Sequence, residues 1–141
     1  MRNSNNYDWY YTGDSSNDNT RWTTSSSDKS IYDPCPAGWR VPDGGSNGIW
    51  SKAGFGATTS DWTNRGMSFR ISSPSTTWYP ASGYRSKDNG GLFVVGSIGY
   101  YWSASPYSYN AYYLFFYYYG SVDPSSNNNR AYGFSVRCLQ E

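Results

Sequence analysis

Ala111-Tyr112-Tyr113-Leu114-Phe115-Phe116-Tyr117-Tyr118-Tyr119 is the stretch whose reading decides the fold. Such a run of aromatic side chains favours a strand, and successive residues of a strand point to opposite faces of its sheet. The even positions, Tyr112, Leu114, Phe116 and Tyr118, include the only large aliphatic residue and are expected to face inward. The odd positions, Tyr113, Phe115, Tyr117 and Tyr119, are then expected to face solvent as a contiguous apolar patch, a surface of the kind that marks an interaction site. The alternative is a strand buried on both faces. Double burial normally favours Val, Ile and Leu over Tyr hydroxyls that each need a partner.

Around this run the aromatic bias persists. Twelve of the twenty residues from Tyr100 to Tyr119 are aromatic, none is Lys, Arg, Asp or Glu, and nine of the sixteen tyrosines fall here. A Ser/Asn-rich stretch from Ser121 to Asn129 follows. Tyrosine beside Ser, Asn and Gly is the composition of recognition surfaces: rigid amphipathic rings give contact area at low entropic cost, and small polar groups give adaptable hydrogen bonds.

The chain's 141 residues suit one domain, 1–141, able to bury its own core, with residues 1–29 as an N-terminal extension. The formal net charge is +1 and only 15% of residues are charged, so no basic stripe exists to follow a phosphate backbone and nucleic acid is not an expected partner. No run approaches the roughly twenty apolar residues that cross a bilayer, and Met1–Tyr10 lacks the apolar core of a signal peptide. The expected location is extracellular or cell-surface, with a secretion signal removed.

That location follows from the cysteines. Cys35 and Cys138 lie 103 residues apart, which rules out a CxxC redox pair and leaves a disulfide or two free thiols. The contexts favour the disulfide: Cys35 sits in the rigid turn Tyr32-Asp33-Pro34-Cys35-Pro36, and Phe134, Val136 and Cys138 share the inward face of an alternating segment. A bridge over so long a loop stabilises by about 4 to 5 kcal/mol in the chain-entropy model and implies an oxidising compartment. The alternative is two buried thiols acting as small hydrophobes.

Elsewhere the pattern is short strands separated by Gly, Pro and Asn turns, an α+β, mostly β and loop-rich chain. Strands are expected at Tyr7–Tyr11, Thr20–Thr24, Met67–Ile71, Thr77–Tyr79, Leu92–Val95, Tyr100–Ser103, Ala111–Tyr118 and Ala131–Leu139. Ser46 is a candidate cap for a short helix through Ile49, Trp50 and Ala53 that stops at Gly54 or Gly56. Trp39 and Val41 are expected as inward anchors between the prolines of Asp33–Pro42, and Trp102 as a core residue.

Catalytic chemistry finds little support. The chain has no histidine, which removes Ser-His-Asp and Cys-His arrangements and the usual zinc sites. Glu141 is the only glutamate, so a glycosidase would need two of nine Asp residues that sit mostly in turn contexts such as Asp33 and Asp123 before prolines. Gly44-Gly45-Ser46-Asn47-Gly48 lacks the Lys-Ser/Thr ending of a phosphate loop and reads as a flexible loop. No enzyme activity, cofactor or metal is expected.

Three blocks suggest a family: Ser30-Ile31-Tyr32-Asp33-Pro34-Cys35-Pro36-Ala37-Gly38-Trp39-Arg40-Val41-Pro42, then Gly99-Tyr100-Tyr101-Trp102-Ser103-Ala104-Ser105, then Gly133-Phe134-Ser135-Val136-Arg137-Cys138. In this order they resemble the FISUMP-type surface domains of gut bacteria. The last two also resemble the C-type-lectin-like variable proteins of diversity-generating retroelements. The resemblance spans residues 30 to 138 and implies a C-type-lectin-like fold on an exported adhesin, with a diversified ligand-binding surface near the C-terminus. In such systems, template adenines are copied with errors, so that Asn codons become codons for Tyr, Phe, Ser, Asp and Gly. Carried over by position, the ligand-binding sites are Tyr107, Tyr109, Tyr113, Phe115, Tyr117, Tyr119, Gly120, Asp123 and Tyr132, and a second group is Asn110, Tyr118 and Asn127 to Asn129. Tyr132 shares parity with Phe134 and would point inward unless Gly133 marks a bulge. The expected partner is a protein or other macromolecular surface.

Three other functions compete. The first is a carbohydrate lectin, calcium-independent because the Glu-Pro-Asn, Gln-Pro-Asp and Trp-Asn-Asp motifs are missing and Asp61-Trp62-Thr63-Asn64 is only a scrambled echo. The second is an enzyme akin to formylglycine-generating proteins, whose catalytic cysteines or metal ligands have no counterpart here. The third is a structural subunit using the aromatic run to self-associate.

Overall fold

The computed structural model describes residues 19, 21–22, 29–56, 60–72 and 74–141. The elements in chain order are β1 (Trp39–Arg40), α1 (Ile49–Lys52), β2 (Ser60–Thr63), β3 (Gly66–Ser72), β4 (Ser75–Pro80), β5 (Tyr84–Arg85), β6 (Leu92–Phe93), β7 (Ile98–Tyr107), β8 (Asn110–Tyr117), β9 (Val122–Asn129) and β10 (Leu139–Gln140). They pair antiparallel into the small sheets β1–β10, β2–β3–β4, β5–β6 and β7–β8–β9. The chain is thus strand-rich with a single helical turn among the described residues, as its composition suggests. The strand expected at Tyr7–Tyr11, and most of Thr20–Thr24, lie outside the described residues.

Several expectations need correction. Ser46 does not cap α1: the helix starts after Gly48, with no side-chain cap, and ends before Gly54, whose φ of +72° suits glycine. Ala131–Leu139 is not a continuous strand; it touches the sheets through single bridges at Gly133 and Ser135 and joins β10 only at its end. Conversely, the polar stretch Val122–Asn129 is a strand, β9, because its backbone pairs with β8 from Asn110↔Asn129 to Phe116↔Val122. Backbone pairing to a neighbour overrides the low strand preference of Asn and Asp.

The main core gathers Trp50, Phe55, Met67, Phe69, Tyr79, Ala81, Tyr101, Leu114 and Phe116 between the β2–β3–β4 and β7–β8–β9 sheets. Phe69 meets Phe116 edge to face at 5.6 Å, and Phe55 stacks on Phe69 at 4.1 Å. Gly99, opposite Phe116 in β7, makes this possible, since a Cβ there would lie 2.0 Å from the Phe116 ring. The Trp50 indole N–H donates to the Tyr79 hydroxyl at 3.3 Å, so the buried polar tips are paired.

A smaller core of Cys35, Val41 and Ala104, flanked by Val136 and Cys138, anchors the ends of the domain to each other. Cys35 and Cys138 form the disulfide, 5.7 Å apart at Cα, which is compatible with an extracellular location. Asp33 supports it by accepting the Cys35 N–H at 2.8 Å, and its buried carboxylate pairs with Lys29 at 3.2 Å. Val41 is fully buried as expected, but Trp39 is 39% exposed. Trp39 belongs to a two-residue strand paired only to β10, a sheet too small to cover an indole.

Candidate functional site

Antiparallel pairing fixes which side chains of β8 share a face. Tyr101 lies opposite Leu114 and Gly99 opposite Phe116, while Tyr100 lies opposite Phe115 and Trp102 opposite Tyr113. The even face holds only at its centre: Leu114 and Phe116 are fully buried, whereas Tyr112 is half-buried and Tyr118, expected inward, is 39% exposed because it lies past the end of β8 in the turn. The odd face does not form one exposed patch. Tyr113 is only 7% exposed, and Phe115 and Tyr117 are half-buried.

The cause lies about twenty residues further along the chain. Segment 133–135 runs beside the free edge of β7, with the Trp102 N–H donating to the Ser135 carbonyl at 2.9 Å and the Ser135 N–H to the Tyr100 carbonyl at 3.1 Å. This register lays Phe134 over the odd face. Its ring lies 4.2 Å from Trp102, 4.8 Å from Tyr100 and 4.9 Å from Tyr113. The middle of β8 is therefore covered on both sides, by the main core beneath and by Phe134 above.

The other sites taken from the resemblance fall into two clusters. Tyr107 ends β7 and Tyr109 lies in the two-residue turn Ser108-Tyr109 between β7 and β8; they are 50% and 64% exposed. Tyr117, Tyr118, Tyr119 and Gly120 form the turn from β8 into β9, where Tyr119 reaches 74% exposure. The Gly120 N–H donates to the Tyr117 carbonyl at 2.9 Å, and its φ of +91° is open to glycine. At about 3.4 Å per residue, the seven steps of β8 separate the clusters by about 24 Å. Asp123 lies opposite Phe115 beside the second cluster, is exposed, and accepts the Ser125 N–H at 2.9 Å. Tyr132 is half-buried, 5.7 Å from Phe134 and 5.5 Å from Tyr84, nearer the covered middle than either turn. Of the second group, Asn110 donates across the sheet to Asn127 at 2.9 Å.

The two kinds of environment differ in electrostatics. Burial pushes the Tyr100 phenol up to about 12, and the nearby phenols of Tyr113, Tyr84 and Tyr132 add to it. Burial likewise raises Tyr101 to about 12, against a hydrogen bond with Ser82 and the charge of Arg137, which both lower it; its hydroxyl donates to the Pro80 carbonyl at 2.7 Å. Tyr119, fully open to water, is raised instead by its hydrogen bond with Tyr118, whose ring lies 3.9 Å away. No carboxylate pair, histidine or thiol accompanies these groups, and no cluster of potential metal ligands occurs among the described residues.

One exposed feature escaped the sequence pattern. Leu92, Phe93, Val94 and Val95, expected as a strand, are all at least 42% exposed, and only the first two lie in a strand. Val94 has a φ of +50°, a strained conformation for a β-branched residue. Nothing in the order of these four apolar residues reveals that β6 pairs only with the two-residue β5, which leaves them uncovered. Phe93 stacks on Tyr84 at 5.6 Å, which joins this knob to the aromatic cluster around Tyr100.

Comparison of the chain with protein-family models, with curated proteins and with solved structures returns no significant match. No helix among the described residues is long and apolar enough to cross a membrane.

Proposed function

We propose that this chain is a non-enzymatic recognition domain with a C-type-lectin-like fold, the variable protein of a diversity-generating retroelement. It would serve as an adhesin or receptor-binding tip. The observation that carries this reading is the placement of Tyr107, Tyr109 and Tyr119 on turns at the two ends of β8, half or more exposed, while Leu114 and Phe116 hold the strand in the core. A surface that is rewritten between generations must be separable from what folds the domain, and these turns meet that requirement. The ordered blocks 30–42, 99–105 and 133–138 supply the family likeness, and the disulfide suits an exported protein. Rigid aromatic anchors dominate protein interfaces, so a few of these tyrosines carry most of the affinity in this reading. Sequencing the DNA beside the gene tests it. The expected result is a near-identical repeat of the last third of the gene, differing mainly at adenines, next to a reverse transcriptase; flanking DNA without such a repeat contradicts the retroelement assignment.

The packed rings of Tyr117, Tyr118 and Tyr119, with centroids 3.9 to 5.1 Å apart, favour a second reading: calcium-independent carbohydrate binding, in which an aromatic platform stacks on sugar rings. A glycan array probed with and without calcium separates the two. Glycan binding unaffected by chelation supports the lectin, and an array without binding favours a protein ligand.

A further inference from the structure

Between α1 and the C-terminal segment lies a cavity of about 170 Å³. That is close to the size of an engineered apolar cavity, of about 150 Å³, that takes up benzene. Trp50 and Ala53 line it from the helical turn, Thr77 and Tyr79 from one face of β4, and Arg137 to Leu139 from the chain's end. Three of these walls are fixed from outside: Trp50 and Tyr79 belong to the main core, Cys138 is bonded to Cys35, and Leu139 pairs with Arg40. The cavity is therefore pre-organised, which lowers the cost of seating a ligand. None of Tyr107, Tyr109, Tyr117 and Tyr119 lines it.

Arg137 is the one charged residue among those lining the cavity. Its guanidinium lies 4.3 Å from the centre of the Tyr79 ring and donates an N–H to the Trp78 carbonyl. No carboxylate pairs with it among the described residues. A ring face and a neutral carbonyl orient a guanidinium while leaving its charge and its remaining N–H donors available, and such a fork suits a carboxylate. The same ring carries a second donor. The Tyr79 hydroxyl oxygen accepts the Trp50 N–H at 3.3 Å, and its own hydrogen has no acceptor among the described residues. Burial raises the Tyr79 phenol, against the Trp50 bond and the Arg137 charge that lower it, so the hydroxyl keeps that hydrogen at neutral pH. With no Asp or Glu on the walls, the groups left to meet a ligand are donors beside an apolar floor.

We infer that this cavity binds a small monocarboxylate, its compact apolar body against Trp50, Ala53 and Phe55 and its carboxylate toward Arg137 and the Tyr79 hydroxyl. The site shares no residue with the recognition surface proposed above and does not depend on it. The volume limits the apolar body to about one ring, and the donors select against neutral and cationic analogues.

The test is an NMR titration of the whole chain with benzoate and with its neutral counterpart benzamide, followed at the assigned Trp50 indole N–H signal. The expected result is a saturable shift with benzoate, at least about fivefold tighter than with benzamide. Arg137→Gln, a change at an exposed side chain, is expected to erase most of that difference, and Arg85→Gln, away from the cavity walls, to leave it intact. Ala53→Leu and, independently, Ile49→Phe narrow the cavity and are expected to abolish binding in any variant that keeps the wild-type melting temperature. Absence of a saturable benzoate shift at Trp50, equal affinity for the two compounds, a difference that survives Arg137→Gln, or binding that survives a narrowed cavity overturns the inference. Loss of the difference in Arg85→Gln does so as well, because it moves the carboxylate to another arginine.

Discussion

The middle and the ends of β8 are built from the same residue types and do opposite things. Tyr113, in the middle, is 7% exposed and touches the rings of Tyr100, Trp102 and Phe134; Tyr119, six residues on, is 74% exposed on a turn. Composition alone does not assign a tyrosine to core or surface. What separates them is whether a distant segment lies over that stretch of the sheet, and segment 133–135 covers the middle but neither end.

The sharpest break would come from truncating the middle. Phe116→Ala and Tyr113→Ala should each cost about 3 to 5 kcal/mol in chemical denaturation, because each empties a packed aromatic site. A cost for Tyr113 below about 1 kcal/mol would show that Phe134 does not seal the odd face in solution. The tryptophans extend the same contrast to the framework. Trp102→Ala, which removes a 5%-exposed ring stacked on Phe134, should also fall at about 3 to 5 kcal/mol. Trp39→Ala, at 39% exposure, should cost about 1 kcal/mol or less.

Alkaline pH probes the middle in another way. The Tyr100 phenol titrates near 10 in the unfolded chain and is pushed up to about 12 in the fold, so the neutral form is the one that folding favours. Its contribution is fully present below pH 10 and is lost as the pH rises toward 12. Unfolding midpoints followed from pH 9 to 12 should therefore fall, and Tyr100→Phe should flatten that fall. An unchanged slope in the variant would place the Tyr100 hydroxyl in water. The smallest effect belongs to the ends: Tyr109→Ala and Tyr119→Ala should move stability by about 0.5 kcal/mol or less while impairing recognition of a ligand.

Much of this architecture is legible in the sequence. Parity together with the single aliphatic residue Leu114 picks the even face as inward, which holds for Leu114 and Phe116 and fails at Tyr118 beyond the strand's end, and turn chemistry around Cys35 with the alternation ending at Cys138 points to the disulfide. What escapes is long-range. The burial of Tyr113 depends on Phe134 reaching the edge of β7 through backbone bonds to Ser135, a contact no local pattern encodes. The strand identity of Val122–Asn129 depends on pairing to β8, and the exposure of Trp39 and of Leu92–Val95 depends on how small their sheets are. Of the residues carried over from the family resemblance, Tyr107, Tyr109, Tyr119, Gly120 and Asp123 are exposed, Phe115, Tyr117 and Tyr132 are partly covered, and Tyr113 is buried.

The central claim is that the ends of β8 can be rewritten freely while its middle cannot. A saturation library over residues 107–123, displayed on cells and sorted only for folded, protease-resistant molecules, tests it most directly. Positions 107, 109 and 119 should accept nearly every residue, and positions 113, 114 and 116 should keep only large apolar ones. Free substitution at 113 together with selection for tyrosine at 119 would contradict it.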